Sequence, residues 1–515
     1  MRERPHSRGS ASPRQWTKGD RVRGPDRVID AGACRLRYPP PMTKHYFIHT
    51  FGCQMNESDS LRMGELLSAD GWAPVDSAEG ADLVLLNTCA IREKAEDKLY
   101  SALGRYRIVK AQRGTKIGVA GCVAQQEKDQ LLKRAPYVDF VLGPDQLAKV
   151  PELVQRAEAG HKSLETGWVP SEQYLFPQAD PESSRGAATA FVTAMKGCDN
   201  VCSFCVVPHT RGREVSRPYA ELVSEVAKLV SVGVREVTLI GQNVNSYAGG
   251  CSFAQLIRRV AEVPGLLRIR FTTSHPMDLS DELVDCFAQP DAGGVAQLMP
   301  HFHLPVQHGS DAVLQRMRRK YAVAEYERRV EKLFALRPEL SLTSDIICGF
   351  PGETDADHQL NLALLRRVRY DNLYSFLFSP RPHTSAERHL DESAEWTQVP
   401  RELALRRLDE VQKLQFERTL QRHKAAIGRE VEVLVEGVTG DPSLRGDRFG
   451  RSRENWTVHF QGDAPVGSTA AVRVESATLV SLRGSQGALV EPALAVGPAL
   501  PRARRALTVL AAPHQ

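Results

Sequence analysis

The chain has 515 residues, too many for one ordinary domain, and a globular composition of 42% hydrophobic and 25% charged residues. No apolar run is long enough to span a bilayer, and ten cysteines without a secretory leader point to a reducing compartment rather than a disulfide framework. The net charge is +5, but residues 1–41 hold ten Lys/Arg against four Asp/Glu, leaving about −1 for the rest, so overall charge carries no nucleic-acid argument.

Residues 1–43 read as a disordered extension, rich in Arg, Pro, Gly and Ser and without an apolar period. Glu3, Asp20, Asp26 and Asp30 fit a transit peptide poorly. A folded pattern begins just after Met42, which reads as an alternative start, and Cys34 reads as inert.

Residues 44–158 alternate strands and helices. Strands are expected at His45–Thr50, Asp82–Leu86, Lys116–Ala120 and Val138–Leu142, with helices over 57–69 and 92–111. This pattern implies a parallel, doubly wound sheet. Cys53, Cys89 and Cys122 each fall just past a strand's C-terminal end, the edge where open parallel sheets bind ligands. Gly52 and Gly121 precede two of them and would let backbone approach a bulky inorganic group. Three thiols on one rim fit a three-thiolate cluster; three small buried apolar residues is the plainer alternative.

Residues 159–183 show no period and read as a linker. From 184 to 420 six strand-like segments follow: 190–195, 236–240, 268–273, 301–305, 342–347 and 373–378. Helical patterns fall at 219–232, 253–263, 280–288, 323–336 and 355–368, which suggests a partial (β/α)6 barrel with its site at the C-terminal strand ends. The first of those loops carries Cys198, Cys202 and Cys205 at C-x3-C-x2-C spacing, with Phe204 before the last. Thiolates suit zinc or iron–sulfur clusters, but structural zinc wants four ligands and no fourth Cys is near. A [4Fe-4S] cluster on three thiolates would leave one iron open. Gly241-Gln242-Asn243, Ser274-His275-Pro276, Gln307-His308-Gly309 and Gly349-Phe350-Pro351-Gly352-Glu353 fill later loops on the same rim.

Residues 423–487 shift to short β patterns at 430–435, 456–460 and 470–474, suggesting a small β-barrel. Arg445, Arg448, Arg451 and Arg453 read as one loop, followed by Asn455-Trp456. That loop either contacts phosphate and stacks on a base or is solvated beside Asp447 and Glu454. Residues 488–515 read as a disordered tail.

These pieces, in this order, resemble the methylthiotransferases of the radical S-adenosylmethionine (SAM) superfamily. The resemblance rests on Phe51-Gly52-Cys53-Gln54-Met55-Asn56, Asn87-Thr88-Cys89, Gly121-Cys122, Gly197 through Pro208, Thr210-Arg211-Gly212, Ser216-Arg217-Pro218, His303 through Gln307, Gly349 through Thr354 and Glu454-Asn455-Trp456. It runs from about 44 to 485. Within the family these motifs look most like the branch acting on N6-(dimethylallyl)adenosine in tRNA. His308 stands where a small polar residue is expected, and His383-Thr384-Ser385 replaces a more usual Gly-Thr-Pro.

The resemblance implies two [4Fe-4S] clusters and SAM as cofactors. Cys198, Cys202 and Cys205 would hold the cluster that reductively cleaves SAM; Cys53, Cys89 and Cys122 would hold an auxiliary cluster. Gly241, Gln242, Ser344 and Glu353 would contact SAM, although Glu353 could equally be a polar turn residue. A 5′-deoxyadenosyl radical would take hydrogen from C2 of adenosine 37. A methylated sulfur from the auxiliary site would then be delivered there. Radical chemistry suits a C–H with no acid/base route at neutral pH, and falls to the cofactors. The small barrel resembles the RNA-binding TRAM module. A cytoplasmic monomer is expected, with tRNA as substrate, no membrane partner and an external one-electron donor such as flavodoxin. Cys251, Cys286 and Cys348 match no cluster motif and read as structural. The alternatives are a sibling acting on threonylcarbamoyl-adenosine tRNA or on a ribosomal-protein aspartate, a non-catalytic iron–sulfur RNA-binding protein, and a structural zinc protein.

Overall fold

A six-stranded parallel sheet opens the folded chain, built from β1 (His45–Phe51), β2 (Ala73–Pro74), β3 (Leu83–Thr88), β4 (Lys116–Gly121), β5 (Phe140–Leu142) and β6 (Ser163–Glu165) in the order β2-β1-β3-β4-β5-β6. The structure is a computed structural model and describes residues 43–90, 93–174, 176, 180–439 and 447–495. The readings on the extension, Met42, Cys34 and Arg445 lie outside these residues.

Residues of β3 are buried throughout, so it reads as a continuous apolar run rather than an alternation. Val84 and Leu86 pack with Leu99 and Leu103 on one face of the sheet, Leu83 and Leu85 with Met63 and Leu67 on the other. Each such side chain contributes roughly 1.5–3 kcal/mol on full burial. Helices on both faces make the sheet doubly wound. The expected linker is partly wrong: Ser163–Glu165 pairs with β5 as the sheet's last strand. Lacking a periodic pattern in three residues, it is found only through its partner.

The second region holds β7 (Thr189–Thr193), β8 (Met195–Lys196), β9 (Val215–Ser216), β10 (Glu236–Ile240), β11 (Arg268–Phe271), β12 (His301–His303), β13 (Ser341–Cys348) and β14 (Asn372–Leu377). Parallel sheets β11-β10-β7 and β12-β13-β14 meet where Ile269 pairs with Leu298. Six strands therefore follow one another in chain order, a partial barrel. Its helices pack outside on one large apolar core that includes Ile269, Phe271, Phe302 and Ile346. The helix Asp355–Arg367 begins on a reciprocal cap: the Thr354 hydroxyl accepts Asp357 N–H (3.1 Å) and the Asp357 carboxylate accepts Thr354 N–H (3.0 Å).

The helix Arg401–Lys424 leads into a closed five-stranded barrel, β15 (Glu430–Val438), β16 (Arg448–Ser452), β17 (Thr457–Gln461), β18 (Thr469–Ala477) and β19 (Leu482–Glu491), ordered β15-β16-β17-β19-β18. Two expectations fail here. Strand β19 continues to Glu491, past the point where the tail was expected to begin. Arg448 and Arg451 lie on β16 rather than in a loop. The two strands are short on apolar residues, and closure of the barrel supplies the hydrogen-bond partners that their sequences do not advertise.

Candidate functional site: two thiol triads facing across an interface

The first triad sits at the C-terminal ends of three adjacent strands. Cys53 caps the helix Gln54–Ala69, Cys89 follows β3 directly, and Cys122 follows β4. Cys89 N–H donates to Phe51 O (2.9 Å), which fixes the register of the first two loops. Two buried asparagines tie them together: Asn56 Nδ2 donates to Asn87 Oδ1 (3.0 Å), and Asn87 Nδ2 returns a bond to Asn56 O (2.8 Å). These amides give both glycines a packing reason. A Cβ at Gly52 would lie 2.4 Å from Asn56 Oδ1. At Gly121, where φ is +93°, it would lie 2.4 Å from Asn87 Oδ1.

Arg211, part of the Thr210-Arg211-Gly212 motif, has a role that the sequence alone does not assign. Its Nε donates to Cys122 Sγ (3.3 Å) and its Nη2 to Asp59 Oδ2 (2.7 Å), with all three side chains buried. Burial alone would depress the guanidinium pKa, but Asp59, Cys122 and Cys53 raise it well above its usual value. A hydrogen bond from Cys89 brings the Cys53 thiol down to about 6, helped by Arg211 and backbone N–H groups against burial. Burial pushes Cys122 up in spite of Arg211.

The second triad lies in the loop after β8. Cys198 N–H donates to Gly212 O (3.2 Å) and Cys205 N–H to Cys202 O (3.1 Å). Phe204 packs edge-on against Phe350, with ring centroids 6.5 Å apart. Arg319, buried, points Nη1 at Cys202 Sγ (3.5 Å) and anchors Nη2 on Pro305 O (2.7 Å). His275 Nε2 lies 3.9 Å from the same sulfur. Burial raises Cys198 to about 11 and Cys205 to about 12.

The other expected site residues have structural partners. Gln242 Oε1 accepts Gly197 N–H, tying the loop after β10 to the cysteine loop. Gly241 lies against Met195, where a Cβ would approach Cγ to 2.5 Å. Ser344 Oγ donates to Leu304 O and accepts Val306 N–H, both at 2.9 Å. The Glu353 carboxylate turns inward, accepting N–H from Gly349 and Phe350 and facing Arg407 (3.4 Å) and His308 (3.7 Å). His308 is thus buried beneath that loop, its Nδ1 accepting Ser310 N–H (3.0 Å).

The two rims face each other. Gln54, next to Cys53, accepts from Thr272 beyond β11 (3.0 Å), and Ser58 meets Thr193 at the end of β7 (3.2 Å). Behind them Lys196 Nζ contacts both Asp145 oxygens (2.6 Å) and lies over the Tyr174 ring (3.9 Å). A cavity of about 20 Å³ between Asp59, Arg62, Lys196 and Arg211 is large enough for one water.

The Arg-Glu-Asn-Trp segment has a backbone role that neither sequence expectation included, while the Arg451 and Arg453 side chains stay 44% and 39% exposed. Arg268 and Arg270, inside the partial barrel, donate to the carbonyls of Arg451 (2.8 Å), Ser452 (2.7 Å) and Arg453 (3.0 Å). Asn455 reaches His301 (3.4 Å), and Trp456 packs against His423 with centroids 5.6 Å apart. Asp447 pairs instead with Arg483 (3.0 Å). The segment docks the small barrel onto the larger one.

The donor sets fit iron–sulfur clusters. Each offers three thiols, and each has a buried guanidinium on one sulfur to balance a thiolate-bound anionic group. Among the described residues no three His, Cys, Asp or Glu side chains gather around a single-ion position.

Residues 45–143 match the uncharacterized protein family UPF0004, residues 192–364 the radical SAM superfamily, and residues 424–485 the TRAM domain. The radical SAM methyltransferase TsrM from Kitasatospora setae, solved with tryptophan and a SAM analog, shares the fold. Its TM-score is 0.51 at 15% identity, over 68% of this chain and 76% of that one. Fold and cysteine loop together define a radical SAM enzyme carrying a TRAM domain. The tRNA-2-methylthio-N(6)-dimethylallyladenosine synthase of Anaeromyxobacter sp. (strain K) is 59% identical over 450 residues, 87% of this chain and 95% of the relative. That of Myxococcus xanthus (strain DK1622) is 57% identical over 451 residues, 87% of this chain and 95% of the relative. The chain belongs to this family of tRNA methylthiotransferases.

Proposed function

We propose that this chain adds a methylthio group to C2 of N6-(dimethylallyl)adenosine 37 in tRNA. The observation that carries this reading is a pair of thiol triads, one past the C-terminal ends of β1, β3 and β4 and one in the loop after β8, in regions joined by the Gln54–Thr272 and Ser58–Thr193 contacts. Cys198, Cys202 and Cys205 would hold the cluster that binds SAM, and Cys53, Cys89 and Cys122 a second [4Fe-4S] cluster beside the sulfur to be transferred. When bound, these groups and SAM supply the one-electron cleavage, hydrogen abstraction and sulfur that protein side chains cannot.

The chain's own residues orient and exclude. Arg211 and Arg319 balance charge at the two triads, and the Asn56–Asn87 pair holds two cysteine loops in register. Gln242 and Gly241 shape the loops nearest the second triad. Ser344 and Glu353 act as positioning groups, because their polar atoms already hold backbone. The small barrel would bind tRNA, and the exposed side chains of Arg451 and Arg453 remain available for it although their carbonyls are docked. We divide the chain into an auxiliary-cluster domain (44–158), a radical SAM core (184–420) and the TRAM domain (423–487). Among the described residues no helix is long and apolar enough to cross a membrane. The working form would be a cytoplasmic monomer served by an external one-electron donor such as flavodoxin.

The test is anaerobic reconstitution, then SAM, reductant and isopentenylated tRNA, read by nucleoside mass spectrometry. A methylthio gain on dimethylallyladenosine is expected. SAM cleavage without that gain would overturn the substrate assignment and point to the sibling substrates. Replacing Cys198, Cys202 and Cys205 by Ala should halve the iron, from about eight to about four per chain.

A further inference from the structure

We propose that Arg211, a residue of the radical SAM core, is a positioning residue of the auxiliary site that sets the charge balance, and so the reduction potential, of the cluster held there. The inference rests on the two-cluster reading above. Arg211 reaches out of the core to Cys122, a cysteine of the other domain, at 3.3 Å. Its second contact, Asp59 at 2.7 Å, lies on the helix that Cys53 caps. Arg211, Cys122 and Asp59 are buried, where a charge beside a sulfur acts with little screening.

The placement also couples the two sites. Arg211 precedes Gly212, whose carbonyl accepts the Cys198 N–H at 3.2 Å. The backbone that seats the first cysteine of one triad thus continues into the side chain that neutralises the other. The auxiliary site is electrically complete only when the two domains are docked. A nearby positive charge favours the more negative, reduced cluster, and a nearby carboxylate disfavours it. Arg211 and Asp59 should therefore act with opposite signs.

The experiment uses the full chain with Cys198, Cys202 and Cys205 replaced by Ala, so that only the auxiliary triad can hold a cluster. It is reconstituted with iron and sulfide without oxygen, and its midpoint potential is titrated by electron paramagnetic resonance. Arg211→Met should shift the potential to more negative values, Arg211→Lys should restore most of it, and Asp59→Asn should shift it to more positive values. Asp59→Asn keeps the test decisive should Arg211→Met fail to fold with its aspartate left buried and unpaired. A purely structural role would reduce iron content in both variants without opposite shifts; that result, or unchanged potentials, would overturn the proposal. A parent that holds no cluster would overturn the two-cluster reading, and this inference with it.

Discussion

Single side chains at the domain interface carry charges far from water. Lys196 holds both oxygens of Asp145 with both residues buried, and burial depresses the lysine pKa against the pull of the carboxylate. Removing one member of such a pair strands the other. Lys196→Met should therefore cost about 3–5 kcal/mol, and Lys196→Met with Asp145→Leu should recover much of it. Chemical unfolding of the three proteins measures the difference. Asn87 is a neutral counterpart. Asn87→Ala removes partners from Asn56 and Ser60 and should cost about 1–3 kcal/mol, with faster iron loss from the triad that includes Cys53 and Cys89.

At the level of elements, two motifs hold parts of the fold in place. The Gly349–Thr354 run is a loop folded on its own glutamate and ended by a helix cap. Thr354→Ala should cost about 1 kcal/mol, read as a lower thermal midpoint, with SAM cleavage retained in the folded protein. The end of β16 and the turn that follows it form a docking segment whose carbonyls are gripped by Arg268 and Arg270. Arg270 also pairs with Glu236 at 3.0 Å, so Arg270→Met leaves a buried carboxylate behind. Limited proteolysis should then cut the joint between helix Arg401–Lys424 and β15 sooner than in the parent. Equal cutting rates would show that the segment does not hold the domain.

Over the whole molecule, buried neutral histidines set a pH dependence. His49, against Tyr106, is lowered by burial and then by Arg105 to about 4, and His301 is held well below its usual value by burial and Arg270. Unfolded, each takes up a proton near 6.5. Their contribution is therefore complete above about 6.5 and is lost as pH falls toward about 4. Unfolding free energies taken between pH 7.5 and 5 at constant ionic strength should fall, and His49→Gln should flatten the slope.

Much of this was legible in one dimension. Strand–helix alternation defines the parallel sheet and the partial barrel, because hydrophobic periodicity is local. Cysteine spacing defines the second triad, because three thiols within eight residues share one loop. The first triad was readable only through the rule that parallel strands present their C-terminal ends together. What no local pattern could supply was partnership. Arg211 and Arg319 look like surface charges until folding buries them against Cys122 and Cys202. The inward turn of the Glu353 carboxylate onto its own loop, and the capture of the Arg451 to Arg453 carbonyls by Arg268 and Arg270, are likewise invisible in the local sequence. Which elements form, and where the thiols stand along them, follows from local pattern. Which charges lose their water follows from the folded chain alone, because burial depends on what packs from far along it.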